Sequence, residues 1–317
     1  MVYLLVTAGL CRLDVGEYLY TVRLGGVLMS KLDIDISSNS SINAIYFGLI
    51  ISGYEFSDIN KSETVIALCN QIRNYSRLDE LKRYFDSARQ NTCEPYPFWP
   101  RAALLESLAF FIDGGISFDK YCDYVKTLPN LTEEERDDAF FSWAKDFPKY
   151  LNEIKASDFF QEIDKGIECI VSNTSTAKES ESARIIDTLN AMTQNNNTLD
   201  VSMLSVKICP LKCIYSADYF LQNSKMSVIL GDFLPHSIVH EYMHLIVRPE
   251  IIKYKNMILS FSGDKLFDID QSYYLNNDES GLLNAFEEHI VRAASLLVCD
   301  KHNINIEQLI AQTLRTN

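Results

Sequence analysis

The stretch His236-Ser-Ile-Val-His240-Glu241-Tyr-Met-His244 contains the pattern H-E-x-x-H, as His240, Glu241 and His244. On an α-helix, positions four apart lie one turn apart on the same face. Two imidazoles at that spacing can share one metal ion. Glu241 follows the first of them and projects toward the edge where a metal-held water would sit. The pattern therefore supplies two ligands and a general base within five residues. The apolar residues Ile238, Val239, Tyr242, Met243 and Ile246 form a helical stripe that leaves these three out, so one face can pack while the other looks into a cleft. The plainer alternative is a surface helix whose His-Glu-His face is solvated. Pro235 suits the first turn of the helix, and Pro249 is expected to stop it.

Zinc needs a third protein ligand and an open position for water. The segment Asn284-Ala-Phe-Glu287-Glu288-His289-Ile-Val-Arg292-Ala-Ala, inside a long apolar-periodic stretch, offers two carboxylates. On a helical wheel the core stripe reads Leu283, Phe286, Ile290, Ala293 and Leu297. Glu288 lies nearly opposite, in line with Asn284, Arg292 and Ser295. Glu287 sits at the edge of the apolar arc, where a buried carboxylate would need a partner, and a metal is one such partner. The wheel leaves both residues open as the third ligand.

Two segments carry a family resemblance: His240-Glu-Tyr-Met-His244 followed by Leu-Ile-Val-Arg-Pro, and Glu288-His-Ile-Val-Arg292-Ala. A weaker match is Leu32-Asp-Ile-Asp-Ile leading into Ala44-Ile-Tyr-Phe-Gly-Leu-Ile-Ile-Ser-Gly53-Tyr. The chain resembles gluzincin-type metallopeptidases, and most of all a bacterial family of zincin-like proteins of unknown function. The resemblance implies a zinc hydrolase and favours Glu288 over Glu287, with Arg292 orienting that carboxylate. It also implies an antiparallel edge strand that borders the cleft and pairs with an extended substrate. Met226–Leu230 is the candidate strand.

The rest of the chain bounds this reading. Its 317 residues suffice for two domains or one large one, and 47% hydrophobic with 23% charged residues is an ordinary globular composition. The net charge of −14 disfavours nucleic acid and anionic membrane surfaces as partners. The eight cysteines (Cys11, Cys69, Cys93, Cys122, Cys169, Cys209, Cys213 and Cys299) are scattered, as free thiols in a reducing compartment would be. The spacing of Cys209 and Cys213 is not that of a structural zinc site. The apolar start, Met1 to Cys11, lacks a basic n-region, and no run reaches the ~18 apolar residues of a transmembrane helix. A cytoplasmic protein is expected.

Residues 1–36 are rich in β-formers. Ser41 could cap a first helix. Apolar spacing of three and four then predicts helices over 42–52, 62–75, 77–90, 100–112, 117–127, 133–146 and 150–171, with Thr132 and Glu135 as a capping box. Pro95, Pro97 and Pro100 crowd an aromatic loop, read as a helix junction. Residues 173–200, rich in Ser, Thr, Asn and Glu, are the best candidate for a linker, with an exposed helix near Ser182–Met192. Strands are expected at Met203–Cys209, Lys212–Tyr215 and Met226–Leu230, helices at 280–298 and 303–314, and a polar loop at 263–279.

The expected fold is α+β and predominantly helical, with a zincin-like core, a small mainly antiparallel sheet and two metal-bearing helices. Residues 1–200 would form the strand and helical region and 201–317 the metal-binding core, the two packing as separate or continuous units. The expected function is a zinc-dependent metallopeptidase acting on peptide or protein substrates: His240, His244 and Glu288 hold Zn²⁺ and Glu241 is the general base. Tyr254, Tyr273, Tyr274, His289 and Arg292 are candidate donors to the oxyanion, and His236 could line the cleft. The rival reading is a binding or regulatory protein that keeps the fold around a structural zinc.

Overall fold

Ser40–Ile51 (α1) is apolar around almost its whole circumference, and such a helix is stable only when surrounded. In the computed structural model, which describes residues 32–54, 61–75, 79–91, 102–127, 141–177, 179–194, 201–214, 216–222, 224–260 and 279–307, every side chain of α1 from Ser41 to Ile51 is buried. Helices α2 (Glu63–Arg73), α3 (Asp79–Asn91), α4 (Ala102–Asp113), α6 (Phe147–Ala156) and α7 (Asp158–Ala177) pack around it, and α5 (Phe118–Thr127) lies against α4. The N-cap of α1 is Asn39, whose Oδ1 accepts from the Ile42 amide at 2.9 Å. Ser41, expected there, instead donates to Asp113 at 2.7 Å. The single helix expected over 150–171 is broken by an extended Ser157 into α6 and α7.

Four strands, β1 (Asp33–Ser37), β2 (Met203–Ile208), β3 (Ala217–Gln222) and β4 (Lys225–Leu230), form a sheet in the order β1-β2-β4-β3. The mainly antiparallel sheet expected from the sequence is corrected here. β1 pairs parallel with β2, β2 pairs parallel with β4, and only β3 runs antiparallel, on β4. The physical reason lies in the side chains. In β4 everything from Met226 to Leu230 is buried, as in strands covered on both faces, which parallel sheets require. For the same reason Met226–Leu230 is not the edge strand. It lies between β2 and β3, and the edge strand near His240 and His244 is β3. Lys212–Ile214, read as a strand, belongs to a tight buried turn between β2 and β3.

That turn is packed against the end of β4. A Cβ on Gly231 would lie 2.4 Å from the Cys213 carbonyl oxygen and 2.6 Å from that of Lys212. Both atoms are backbone, so neither can swing aside. Gly231→Ala is expected to destabilise the chain by about 1–3 kcal/mol, read as a lower urea midpoint with an unchanged slope. An unchanged midpoint would show that the turn is free to move.

The polar stretch read as a linker is helical through Ala177 and again in α8 (Glu179–Gln194). α8 packs on α9 (Pro235–Lys253) and buries Ile185, Leu189 and Met192, so its polar composition reflects one solvated face. α9 has Pro235 at its start, as expected, but runs through Pro249 to Lys253, which corrects the expected stop. α10 (Lys255–Ser260) follows, and α11 (Glu279–Lys301) returns alongside α9. Val247 and Ile251 of α9 meet Leu283, Phe286 and Ile290 of α11 in an apolar cluster that also takes in Ile258. A larger cluster runs from Leu32 to Ile304 and includes α1, β2, β4 and α9.

Among the described residues, Cys69, Cys122, Cys169, Cys209, Cys213 and Cys299 are free, and no helix is long and apolar enough to cross a membrane. The strands read before Lys31, the loop at Pro95–Pro100, the Thr132 capping box with 133–140 of the helix after it, the loop at 263–278 and 308–314 of the last expected helix lie outside the described residues, and 303–306, expected to begin that helix, are not helical.

Candidate metal centre

The two helices that the sequence marks out, α9 and α11, lie side by side because each offers an apolar strip to the other. In α9, Ile238, Val239 and Tyr242 are fully buried. The opposite face is not left in water: Glu241 and His244 are only 6% and 5% exposed. Burial on this scale is costly for polar groups without partners, and His244 finds its partners on α11.

His240 Nε2 and His244 Nε2 lie 3.3 Å apart. The Glu288 carboxylate completes a triangle, with Oε2 3.6 Å from His240 Nε2 and Oε1 3.4 Å from His244 Nε2. The ligand atoms of these three residues all fall within 4.8 Å of one another. Arg292, one turn along α11, places Nε 3.3 Å from Glu288 Oε2 and steadies that carboxylate.

Glu287 takes the other role. It is 1% exposed, and its Oε1 lies 2.6 Å from His244 Nδ1. Arg248 Nε donates to the same carboxylate at 3.0 and 3.2 Å. An ionised carboxylate only accepts, so His244 Nδ1 carries the proton and Nε2 presents its lone pair toward His240 and Glu288. The helical wheel mis-set the buried face of α11. Its buried line is Leu283, Glu287, Val291 and Val298, while Leu297, read as core, is 63% exposed. The partner that a buried Glu287 demanded is thus His244 with Arg248.

The electrostatics follow from this geometry. Burial opposes a charge on His244, but the bonds to Glu287 and Glu288 outweigh it and lift its pKa to about 10. Burial raises Glu288, yet its contacts with His240 and His244 prevail and hold it well below the usual carboxylate range. Without a metal, this field holds a proton on His244; with Nδ1–H kept on Glu287, a divalent cation can take the place of the proton on Nε2, between His240 and the ionised Glu288. Burial pushes Glu241 up to about 7, with the two imidazoles pulling it back. Among the described residues nothing hydrogen-bonds its carboxyl, which is therefore at liberty to exchange a proton near neutral pH.

The other candidates divide. His236 is buried, and its pKa falls to about 4 through burial and then His240. His289 lies beside Glu288 with its pKa lowered, first by burial and then by Arg292. Tyr254 ends α9 and is largely exposed. Ten residues beyond His244, it stands about 15 Å along the helix from it. Tyr273 and Tyr274 lie outside the described residues.

Sequence reading missed two participants. Arg248 follows His244 by four residues, a spacing that places it on the ligand face of α9. Tyr219, on edge strand β3, lies with its ring 5.7 Å from that of His244 at an interplanar angle of 17°. It comes from a strand that the sequence reading did not find, so no local signal pointed to it. No protein-family model, no curated protein and no solved structure matches this chain.

Proposed function

We propose that this protein is a zinc-dependent hydrolase of the gluzincin type, acting on peptide bonds. The observation that carries the reading is the convergence of His240 Nε2, His244 Nε2 and the Glu288 carboxylate beside a buried Glu241 that no described residue hydrogen-bonds. Three protein ligands of the His₂Glu kind are the donor set of a catalytic zinc, which keeps a fourth position for water. Zinc held by these residues supplies an activated water and a Lewis acid for the scissile carbonyl.

The remaining steps belong to the chain's own residues. Glu241 accepts a proton from the attacking water and delivers it to the leaving amine nitrogen. Its upward-shifted pKa suits a group that must both take and return a proton near pH 7. Glu287 fixes the His244 ring in the tautomer that leaves Nε2 for the metal, and Arg248 holds the Glu287 carboxylate in place by donating to both of its oxygens. β3, antiparallel and at the edge of the sheet, borders the site through Tyr219 and can receive an extended chain.

The two glutamates of α11 make the reading divisible. Glu287→Gln is expected to weaken zinc binding about 10–100-fold, the usual effect of losing an outer partner, and Glu288→Ala to weaken it further. Competition with a chelator of known affinity measures both, and the reverse order would give the ligand role to Glu287. The activity itself is tested with a mixed peptide library. Cleavage that a chelator abolishes and added zinc restores supports the hydrolase. One tightly held zinc without cleavage would leave a binding protein built on a structural metal.

A further inference from the structure

The hairpin joining β3 to β4 fixes which main-chain groups of β3 face outward. Gln222 pairs with Lys225, leaving two residues between them, and Ser224 has φ 60°. In a two-residue hairpin the flanking pair is hydrogen-bonded, and bonded and non-bonded pairs then alternate. Gln222, Phe220 and Asp218 therefore bond to β4. Leu221, Tyr219 and Ala217 turn their N–H and C=O groups away from it, to the edge of the described sheet. The register receives independent support: the Tyr124 hydroxyl, from α5, donates to the Leu221 carbonyl at 2.9 Å. Among the described residues, the outward groups of Tyr219 and Ala217 have no main-chain partner.

The edge is thus divided. Tyr219, stacked on His244, sits beside the metal-ligand group, and Ala217 is the next outward position. Leu221, two residues the other way, has its acceptor already engaged. Tyr124 is itself held, its ring 4.7 Å from that of Phe111 in α4, so it stands as a fixed post.

We propose that Tyr124 is a length-setting specificity residue: an extended peptide adds to the β3 edge at Ala217 and Tyr219, and Tyr124 ends the pairing at Leu221. An added antiparallel strand exchanges both of its bonds with one outward residue at a time, two residues apart. Pairing at Tyr219 and Ala217 spans three residues of the added chain. A fourth and fifth on the Leu221 side find the carbonyl occupied. The inference rests on the peptide-hydrolase reading for the nature of the occupant, and on the hairpin register for the rest.

The test uses the full-length chain, ¹⁵N-labelled, zinc-loaded and carrying Glu241→Gln so that peptides are bound but not cut. Capped peptides of three, five and seven residues of one composition are titrated, with amide shifts at Ala217 and Tyr219 as the readout. Affinity is expected to level off beyond three residues. Adding Tyr124→Phe should strengthen the five- and seven-residue peptides about 2- to 12-fold, the effect of one hydrogen bond, and leave the three-residue peptide unchanged. The same length dependence with and without Tyr124→Phe would overturn the proposal, as would the absence of shifts on β3. Zinc content measured on the same samples separates the two readings. Shifts on β3 without bound zinc would sink the metal assignment alone, and bound zinc without shifts would sink this inference alone.

Discussion

Glu241→Gln is expected to keep one zinc per chain while peptide hydrolysis falls by about 10²–10⁴-fold. That range is what a positioned general base contributes. The separation of the two effects follows from the geometry. The ligand triangle consists of His240, His244 and Glu288, and Glu241 stands outside it with its carboxyl bonded to no described residue. Glutamine fills the same space and cannot accept the proton. Metal analysis of the dialysed variant, set beside its cleavage rate, checks both halves. Loss of zinc with the substitution would make Glu241 a ligand. Unchanged hydrolysis would remove it from the chemistry.

The second large effect lies beneath the edge strand. Lys212, in the turn between β2 and β3, is fully buried, and its Nζ lies 2.9 Å from Glu106 Oε1 on α4. It also contacts Asp218 Oδ2 on β3. The Tyr46 hydroxyl donates to the same Glu106 oxygen at 2.8 Å. Burial works against a charge on Lys212, but Asp218 and Glu106 outweigh it and push its pKa up. Lys212→Met would leave the buried Glu106 and the partly buried Asp218 without a counter-charge. The expected loss is about 3–5 kcal/mol, a large part of the 5–15 kcal/mol that typically separates folded from unfolded domains. The combined variant Lys212→Met, Glu106→Gln, Asp218→Asn should recover most of that loss, since removing a buried ion group entirely is often neutral. Urea unfolding of both proteins decides the matter, and a single variant as stable as the parent would show that the three charges are not coupled.

The local parts of this arrangement were legible in the sequence because they depend on spacing within one helix. His240, Glu241 and His244 need only the 3.6-residue period to share a face, and Arg292 needs the same period to reach Glu288. The helical segments from 42 to 127 follow from apolar spacing and agree with the described helices to within a few residues. What failed depended on neighbours far along the chain. The direction of β2 against β4 is set by which residues cover the sheet, not by the strands' own sequences. Tyr219 reaches His244 through a hairpin that its polar, aromatic sequence did not announce. The different surroundings of Glu287 and Glu288 turned on where α9 lies against α11. A helical wheel weighs apolar residues, and the buried line of α11 includes a carboxylate because His244 and Arg248 are there to receive it. Pro249 inside α9 belongs to the same class: the proline is exposed, and Val247 and Ile251 on either side of it are held against α11.

The central claim is that His240, His244 and Glu288 together hold one metal ion. Zinc-edge X-ray absorption on the purified chain, with metal counted on the same sample, tests it most directly. The account predicts one zinc per chain, with two imidazole nitrogens at about 2.0–2.1 Å and oxygen ligands at about 2.0–2.2 Å. Glu288→Ala should lower the oxygen count and the occupancy together. A chain that binds no zinc, or one whose zinc signal is unchanged in both His244→Ala and Glu288→Ala, would contradict it.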